Sequence, residues 1–307
     1  MELCTIGAIL KQLRKEKKIS LADMCKGLCN VAMASRIENG ERIPNRKLIE
    51  ALFGRIGENA PVEKVPTLKS DSERRNLEYE IDSCIGNDNY QIKELLDKYA
   101  NCKEKMNKLE KQFYNFASAL YQHSIEKNPE KFIQKSTEAL RITIPNFSPE
   151  TLPTQKTFTN TELWIMNAIS LKYYHELNQK GLAFKFMYFI KEYLENNFLT
   201  NEQKIGIYST VLFNLANWAR MECNYKEEKE LSEQGLKLSV KENGFSLFVY
   251  FLMLKGHCKA YLENCNDGIQ IILESCKLFE CMPRQEEIDY IKDMLKEEFH
   301  YDYLENN

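Results

Sequence analysis

Apolar residues return at helical spacing along most of the chain. Ile6, Ile9, Leu10 and Leu13 fall on one side of a first predicted helix, with lysines and arginines opposite. Ser20 and Asp23 form a capping-box pattern before a second helix carrying Leu21, Met24 and Cys25. Gly27 ends that helix, and Asn30 caps a third, NVAMASRIENG (30–40), which Gly40 stops. Leu48, Ile49, Leu52, Phe53 and Ile56 are the apolar stripe of a fourth, closed by Gly57. Four short helices in under sixty residues predict a compact bundle with a tight turn between the second and third.

Pro61 and Pro66 bracket APVEKVPTLKS, read as a linker over 61–70. From Ser70 onward the pattern is helical, with capping-box patterns at Ser70/Glu73, Thr159/Glu162 and Thr200/Gln203. Breakers return every few tens of residues, at NPE (128–130), IPNFSP (144–149), ENN (195–197) and KENG (241–244). Spacing of that order points to stacked helical hairpins. The stretch 211–238 resembles a tetratricopeptide repeat, with Leu212, Leu215, Ala216 and Ala219 on its first helix. Glu228, Ser232 and Gly235 stand at the close-packing positions of its second. Residues 251–279 fit again, with Gly256, Gly268, Ile272 and Ser275, and weaker copies lie at 163–194 and 113–140. The segment EEIDYIKDMLKEEFHYDYL reads as a capping helix with a charged outer face. The expected fold is all-α: a helix-turn-helix bundle over 1–60, then a tetratricopeptide-like right-handed superhelix over 71–307.

The run ISLADMCKGLCNVAMASRIENGERIP resembles the helix-turn-helix of the Cro/repressor (XRE) family. That resemblance implies that the third helix enters the major groove with its N-terminal part against base edges. Asn30, Val31, Ala32 and Arg36 then face DNA, while Ala34 and Ile37 turn inward. Arg36 suits bidentate pairing with guanine, and Val31 and Ala32 suit thymine methyls. Arg42, Arg46 and Lys47, near the start of the fourth helix, are candidate phosphate contacts. Glu38 and Arg14 match the family's buried acid and its partner. Leu21 stands where that family usually has a phosphate-gripping glutamine. Without the resemblance, 30–40 would be an ordinary surface helix.

Composition and charge narrow the classes. Of 307 residues, 43% are hydrophobic and 28% charged, the mix of a globular chain, and no long low-complexity stretch occurs. The longest apolar run, FSLFVYFLML (245–254), is too short for a bilayer, and the start lacks the order of a signal peptide. A cytoplasmic protein with no membrane association is expected. No two of the ten cysteines are spaced CxxC and no HxxxH occurs among the four histidines. Reduced thiols used as small apolar side chains are therefore expected, with no metal site and no cofactor. Residues 1–60 hold 11 Lys/Arg against 7 Asp/Glu, whereas the remaining 247 hold 31 against 38. A basic head on an acidic body fits a nucleic-acid-binding module joined to something else. The sequence shows no P-loop, no GxGxxG after a strand, no HExxH and no triad, so no catalytic residue is assigned.

Head and repeats together resemble the Rgg/PlcR group of peptide-pheromone-responsive regulators, on the KGLCN turn, SRIENGE, and NLANWAR followed by LSEQGLKL. The resemblance implies a homodimer on a near-palindromic double-stranded operator. It also implies a short linear signalling peptide in the concave groove of the repeats. An extended peptide exposes N–H and C=O groups that need partners once buried, and asparagine offers both donor and acceptor. In the last two repeats the positions facing that groove are Thr210, Phe213, Asn214, Asn217, Arg220 and Met221, then Tyr250, Met253, His257 and Tyr261. Asn167 stands equivalently one repeat earlier. Phe213, Tyr250 and Met253 suit apolar pockets, and Arg220 suits a carboxylate. Each asparagine has the plainer alternative of bonding to a neighbouring helix, and each aromatic that of ordinary packing. The competing functional reading keeps the DNA-binding head but makes the repeats a dock for a protein partner, as in a phage or mobile-element repressor.

Overall fold

The computed structural model describes residues 5–61, 69–85, 91–102, 105–281 and 284–301. Among them there is no strand, only an isolated bridge between Ser148 and Thr151. Residues 62–68 of the expected linker, and the last residues of the expected capping segment, lie outside the described residues. The chain divides into two compact units, 1–200 and 201–307.

The first unit opens with the four-helix head: α1 (Ile6–Glu16), α2 (Leu21–Cys25), α3 (Val31–Glu38) and α4 (Arg46–Arg55). Each helix starts on a side chain that satisfies an otherwise unpaired amide. Thr5 accepts from Ala8 N, Ser20 from Asp23 N, Asn30 from Met33 N and Asn45 from Leu48 N. Leu10, Met24, Ala34, Ile37, Leu48, Ile49, Leu52, Phe53 and Ile56 close a core of the head's own, which Leu109 joins from outside. Next come α5 (Lys69–Cys84), α6 (Gln91–Ala100), α7 (Lys108–Glu126), α8 (Pro129–Arg141), α9 (Asn160–His175) and α10 (Lys180–Asn196). The capping box expected at Thr159/Glu162 is formed at the start of α9, and Asn107 with Glu110 makes another at α7.

The back of the head is fixed to these helices. Arg55, in the last turn of α4, donates to both carboxylate oxygens of Glu162 at 3.0 and 3.2 Å, and both side chains are fully buried. The same guanidinium donates to the carbonyls of Met24 and Lys26 at the end of α2. Thr157 Oγ1 donates to the carbonyl of Asp23 (2.8 Å), and Lys108 Nζ to that of Gly27 (2.6 Å). Gly27 has φ +75°, and a Cβ there would sit 1.8 Å from the Thr143 carbonyl oxygen. Only glycine meets both demands, so the residue that turns α2 into α3 also lets the head touch the repeats.

The second unit begins with α11 (Asn201–Gln203), which runs through a π-helical turn (Lys204–Tyr208) into α12 (Ser209–Met221). It continues with α13 (Tyr225–Lys241), α14 (Phe248–Leu262), α15 (Cys265–Glu280) and α16 (Gln285–Phe299). The two hairpins α12/α13 and α14/α15 coincide with the two stronger repeats read from sequence. Their small residues sit at helix crossings as expected: a Cβ on Gly268 would lie 2.4 Å from Ala260 N, and one on Gly235 2.3 Å from the Phe251 ring. Ile288, Ile291, Met294 and Leu295 bury the inner side of α16. Among the described residues no helix is long and apolar enough to cross a membrane, and the described cysteines are free.

Candidate DNA interface and candidate peptide site

The α3 helix is amphipathic in the sense the sequence implied. Ala34 and Ile37 are buried in the head, and Val31, Ala32 and Arg36 are exposed on the other side. Val31 is 50% exposed, although it is a large apolar residue on a helix of only eight. Asn30 is exposed too, but its Oδ1 accepts from Met33 N at 2.7 Å, so the side chain is held as a cap. Arg14 grips Glu38 with two hydrogen bonds of 2.6 and 2.9 Å and donates to the Ile19 carbonyl. The Glu38 bond holds the Arg14 guanidinium above its ordinary pKa. This pair ties α1 to the last turn of α3 and sets the angle at which α3 is presented.

The three candidate phosphate contacts fall into different surroundings. Arg42 is exposed beside Ile43, itself 71% exposed, in the loop before α4. Arg46 pairs with Glu50 at 3.0 Å, one turn along α4. Lys47 pairs with Glu78 of α5 and lies 4.9 Å from the centre of the Phe113 ring. Tyr99 donates to the same Glu78 carboxylate at 2.5 Å, and burial first, then that carboxylate, raises its phenol pKa. Lys47 is therefore part of the packing between head and repeats, and Arg42 is the most open of the three.

For the peptide residues, Phe213, Asn214, Asn217 and Arg220 lie half-buried along α12, and Tyr250 half-buried on α14. Phe213 and Tyr250 meet edge to face at 5.4 Å, and Tyr250 meets Phe279 at 4.9 Å. Asn217 accepts from Arg220 Nε at 3.4 Å. Met253 and His257 are 5% and 1% exposed, so Met253 packs in the core of the unit and not in an open pocket. Asn167 belongs to α9 of the first unit and is 3% exposed.

Residues of α16, the helix read from the sequence as a cap with a charged outer face, bond to these same positions. Glu298 takes Arg220 at 3.2 Å, His257 Nε2 at 2.8 Å and the Tyr261 hydroxyl at 3.2 Å. Arg220 also donates to the Tyr290 hydroxyl. Tyr250 donates to Glu287 at 2.7 Å; burial, then this carboxylate, pushes its phenol up to about 12, while the bond pulls Glu287 below the usual carboxylate range. On its other side His257 Nδ1 lies 2.9 Å from Glu228, whose carboxyl is raised by burial. Sequence reasoning named the α12 and α14 side of this cluster and missed the α16 side. Nothing local marks a glutamate of a capping helix as one that turns inward.

A helix-turn-helix family model matches residues 10–58, which covers the bundle from the middle of α1 to just past the end of α4. A search of curated proteins finds no match. Among solved structures, the chain is similar to Bacillus thuringiensis PlcR in complex with the peptide PapR7 and DNA. That match has 16% identity and a TM-score of 0.58, covering 92% of this chain and 98% of that one. The apo form of the same protein matches at 16% identity and 0.59, over 93% and 97%. The apo competence regulator ComR from Streptococcus vestibularis matches at 13% identity and 0.51, over 94% and 96%. The all-α fold, a helix-turn-helix head followed by helical repeats, is thus shared with these proteins along almost the whole chain.

Proposed function

We propose that the chain is a sequence-specific DNA-binding transcription regulator whose repeats bind a short linear signalling peptide. It acts in the cytoplasm as a homodimer on a near-palindromic operator. One observation carries the reading: α3 keeps its inner side in the head core while presenting Val31, Ala32 and Arg36 to solvent. That is the surface a major-groove helix needs. PlcR, whose fold this chain shares, was crystallised with both a peptide and DNA. The repeats of the second unit offer what an extended backbone requires, with Asn214 and Asn217 one turn apart and the Phe213–Tyr250 pair beside them.

In this mechanism the head reads the operator and the repeats read the peptide. The peptide changes DNA binding by preferring one of the dimer's arrangements, which is all that a population shift requires. The test selects an operator from random duplexes, then titrates protein into it by fluorescence anisotropy with and without a library of short synthetic peptides. A member of the library should shift the DNA affinity of the wild type but not of the Asn214→Ala/Asn217→Ala variant, which should still dimerise. Response to a folded protein partner and to no peptide would favour the antirepressor-type reading instead.

A further inference from the structure

Three donors of different kinds approach the Glu298 carboxylate: a guanidinium, an imidazole and a phenol. Two of them, Arg220 and His257, project from α12 and α14, and Tyr261 from the last turn of α14. Behind them the site is built rigidly. His257 is 1% exposed and held from the other side by the fully buried Glu228. Tyr261 stacks on Tyr225 with ring centres 4.1 Å apart and planes within 5°. The donors belong to the repeats, whereas the acceptor belongs to α16, where Glu298 is still about a third exposed. The α16 helix is docked through Ile288, Ile291, Met294 and Leu295, and that contact does not depend on Glu298.

We propose that Arg220, His257 and Tyr261 form a receptor for a single carboxylate. Glu298 fills it in the ligand-free chain, and a carboxylate of the bound peptide takes it over. The second half of this statement rests on the peptide reading above; the receptor itself rests on the geometry. Charge-assisted bonds to a carboxylate are the stronger kind, and a planar guanidinium discriminates a carboxylate from an amide. An internal glutamate on the same donors is a competitor at fixed concentration, so the receptor rejects any ligand whose carboxylate binds less well than Glu298. Neutral peptides gain nothing there.

The test uses full-length protein, wild type and Glu298→Ala, with the ring signals of His257 followed by NMR. Three small probes are titrated: N-acetylphenylalanine, N-acetylglutamate amide with its carboxylate only in the side chain, and N-acetylphenylalanine amide with none. In Glu298→Ala the two carboxylates should shift the His257 signals saturably, at concentrations at least tenfold lower than in wild type, and the amide should not. Tighter binding of the first probe points to a peptide C-terminus, and of the second to an acidic side chain. Adding Arg220→Gln should abolish the response while the dispersed His257 signals show that the unit is folded. Equal shifts with the amide, no shift with any probe, or a response that survives Arg220→Gln would overturn the receptor. The outcome is separate from the peptide reading, because no peptide is used. A receptor that binds the probes in a protein that ignores every peptide would leave the receptor standing and remove its assigned ligand.

Discussion

The outward side of α3 and the side of α12 and α14 that meets α16 are the two candidate binding faces, but they differ in what completes them. On α3, Val31, Ala32 and Arg36 face solvent, and the polar bonds that hold the helix lie at its two ends, through the Asn30 cap at its start and Arg14–Glu38 at its end. On α12 and α14, Arg220, Tyr250, His257 and Tyr261 already bond to Glu287, Tyr290 and Glu298 of the same chain. A surface built to read a duplex gains from being preformed and empty, because DNA supplies its own charges and its own shape. A surface built to read a small flexible ligand would leave buried donors unsatisfied between encounters, which costs about 1–3 kcal/mol for each such group. An internal carboxylate removes that cost and makes the ligand compete.

The largest effect should come from unfastening the head. Glu162→Ala leaves the Arg55 guanidinium fully buried without its carboxylate, which costs about 3–5 kcal/mol. Calorimetry should show the loss in the transition of the first unit. Replacing both partners together, Arg55→Met with Glu162→Leu, should recover only part of it: the lone buried charge is gone, but the Thr159 amide loses its Glu162 acceptor and the Met24 and Lys26 carbonyls lose Arg55. If Glu162→Ala melts like the wild type, the head is held by its apolar contacts and the contrast between a fastened head and an open reading face collapses.

The next effect concerns α3 alone and separates two residues the sequence had grouped as base readers. Arg36→Ala should lose discrimination at one position of the operator, about 1–3 kcal/mol for a bidentate contact, with little change on unrelated DNA. Asn30→Ala removes the acceptor of Met33 N and should cost about 1 kcal/mol of stability, with Asn30→Ser restoring it. Parallel anisotropy titrations on operator and scrambled duplexes, with melting curves, give both answers. A uniform affinity loss for Arg36→Ala would make it a phosphate contact.

How far each region was legible follows from the range of the interactions that make it. Caps and stripes act over three or four residues, so the starts of α2, α3 and α9 could be read from spacing, whereas the inward turn of Ala34 and Ile37 came with the resemblance to a family pattern. The close-packing glycines of the repeats were legible too, because a missing Cβ is a property of one residue type and recurs with the repeat. Arg14–Glu38 came only with the resemblance to a family pattern. Arg55–Glu162 had no signal: an arginine at the end of a helix is common, and its partner lies 107 residues away. The role of Glu298 was hidden for the related reason that a glutamate on a charged capping helix is ordinarily solvated. Lys47 shows the converse: its basic character near a helix start was legible, but its pairing with the distant Glu78 was not.

The smallest effect is a rate, and it tests whether the back of α3 stays closed. Cys29 stands one residue before the α3 cap, half-buried, and burial pushes its thiol up to about 11, with the neighbouring Cys25 adding to the shift. The thiolate is the species that alkylates, so a group with its pKa raised this far is almost entirely thiol at neutral pH. Its modification by iodoacetamide should therefore rise about tenfold per pH unit from 7 to 10 and level off only near 11. Peptide mapping by mass spectrometry resolves the site from the exposed Cys223, Cys265 and Cys281 of the second unit. A plateau near pH 8 or 9 would mean that the turn between α2 and α3 opens to water, because the raised value depends on burial. The outward side of α3 would then rest on a mobile base, and its difference from the α12/α14 side would be one of degree.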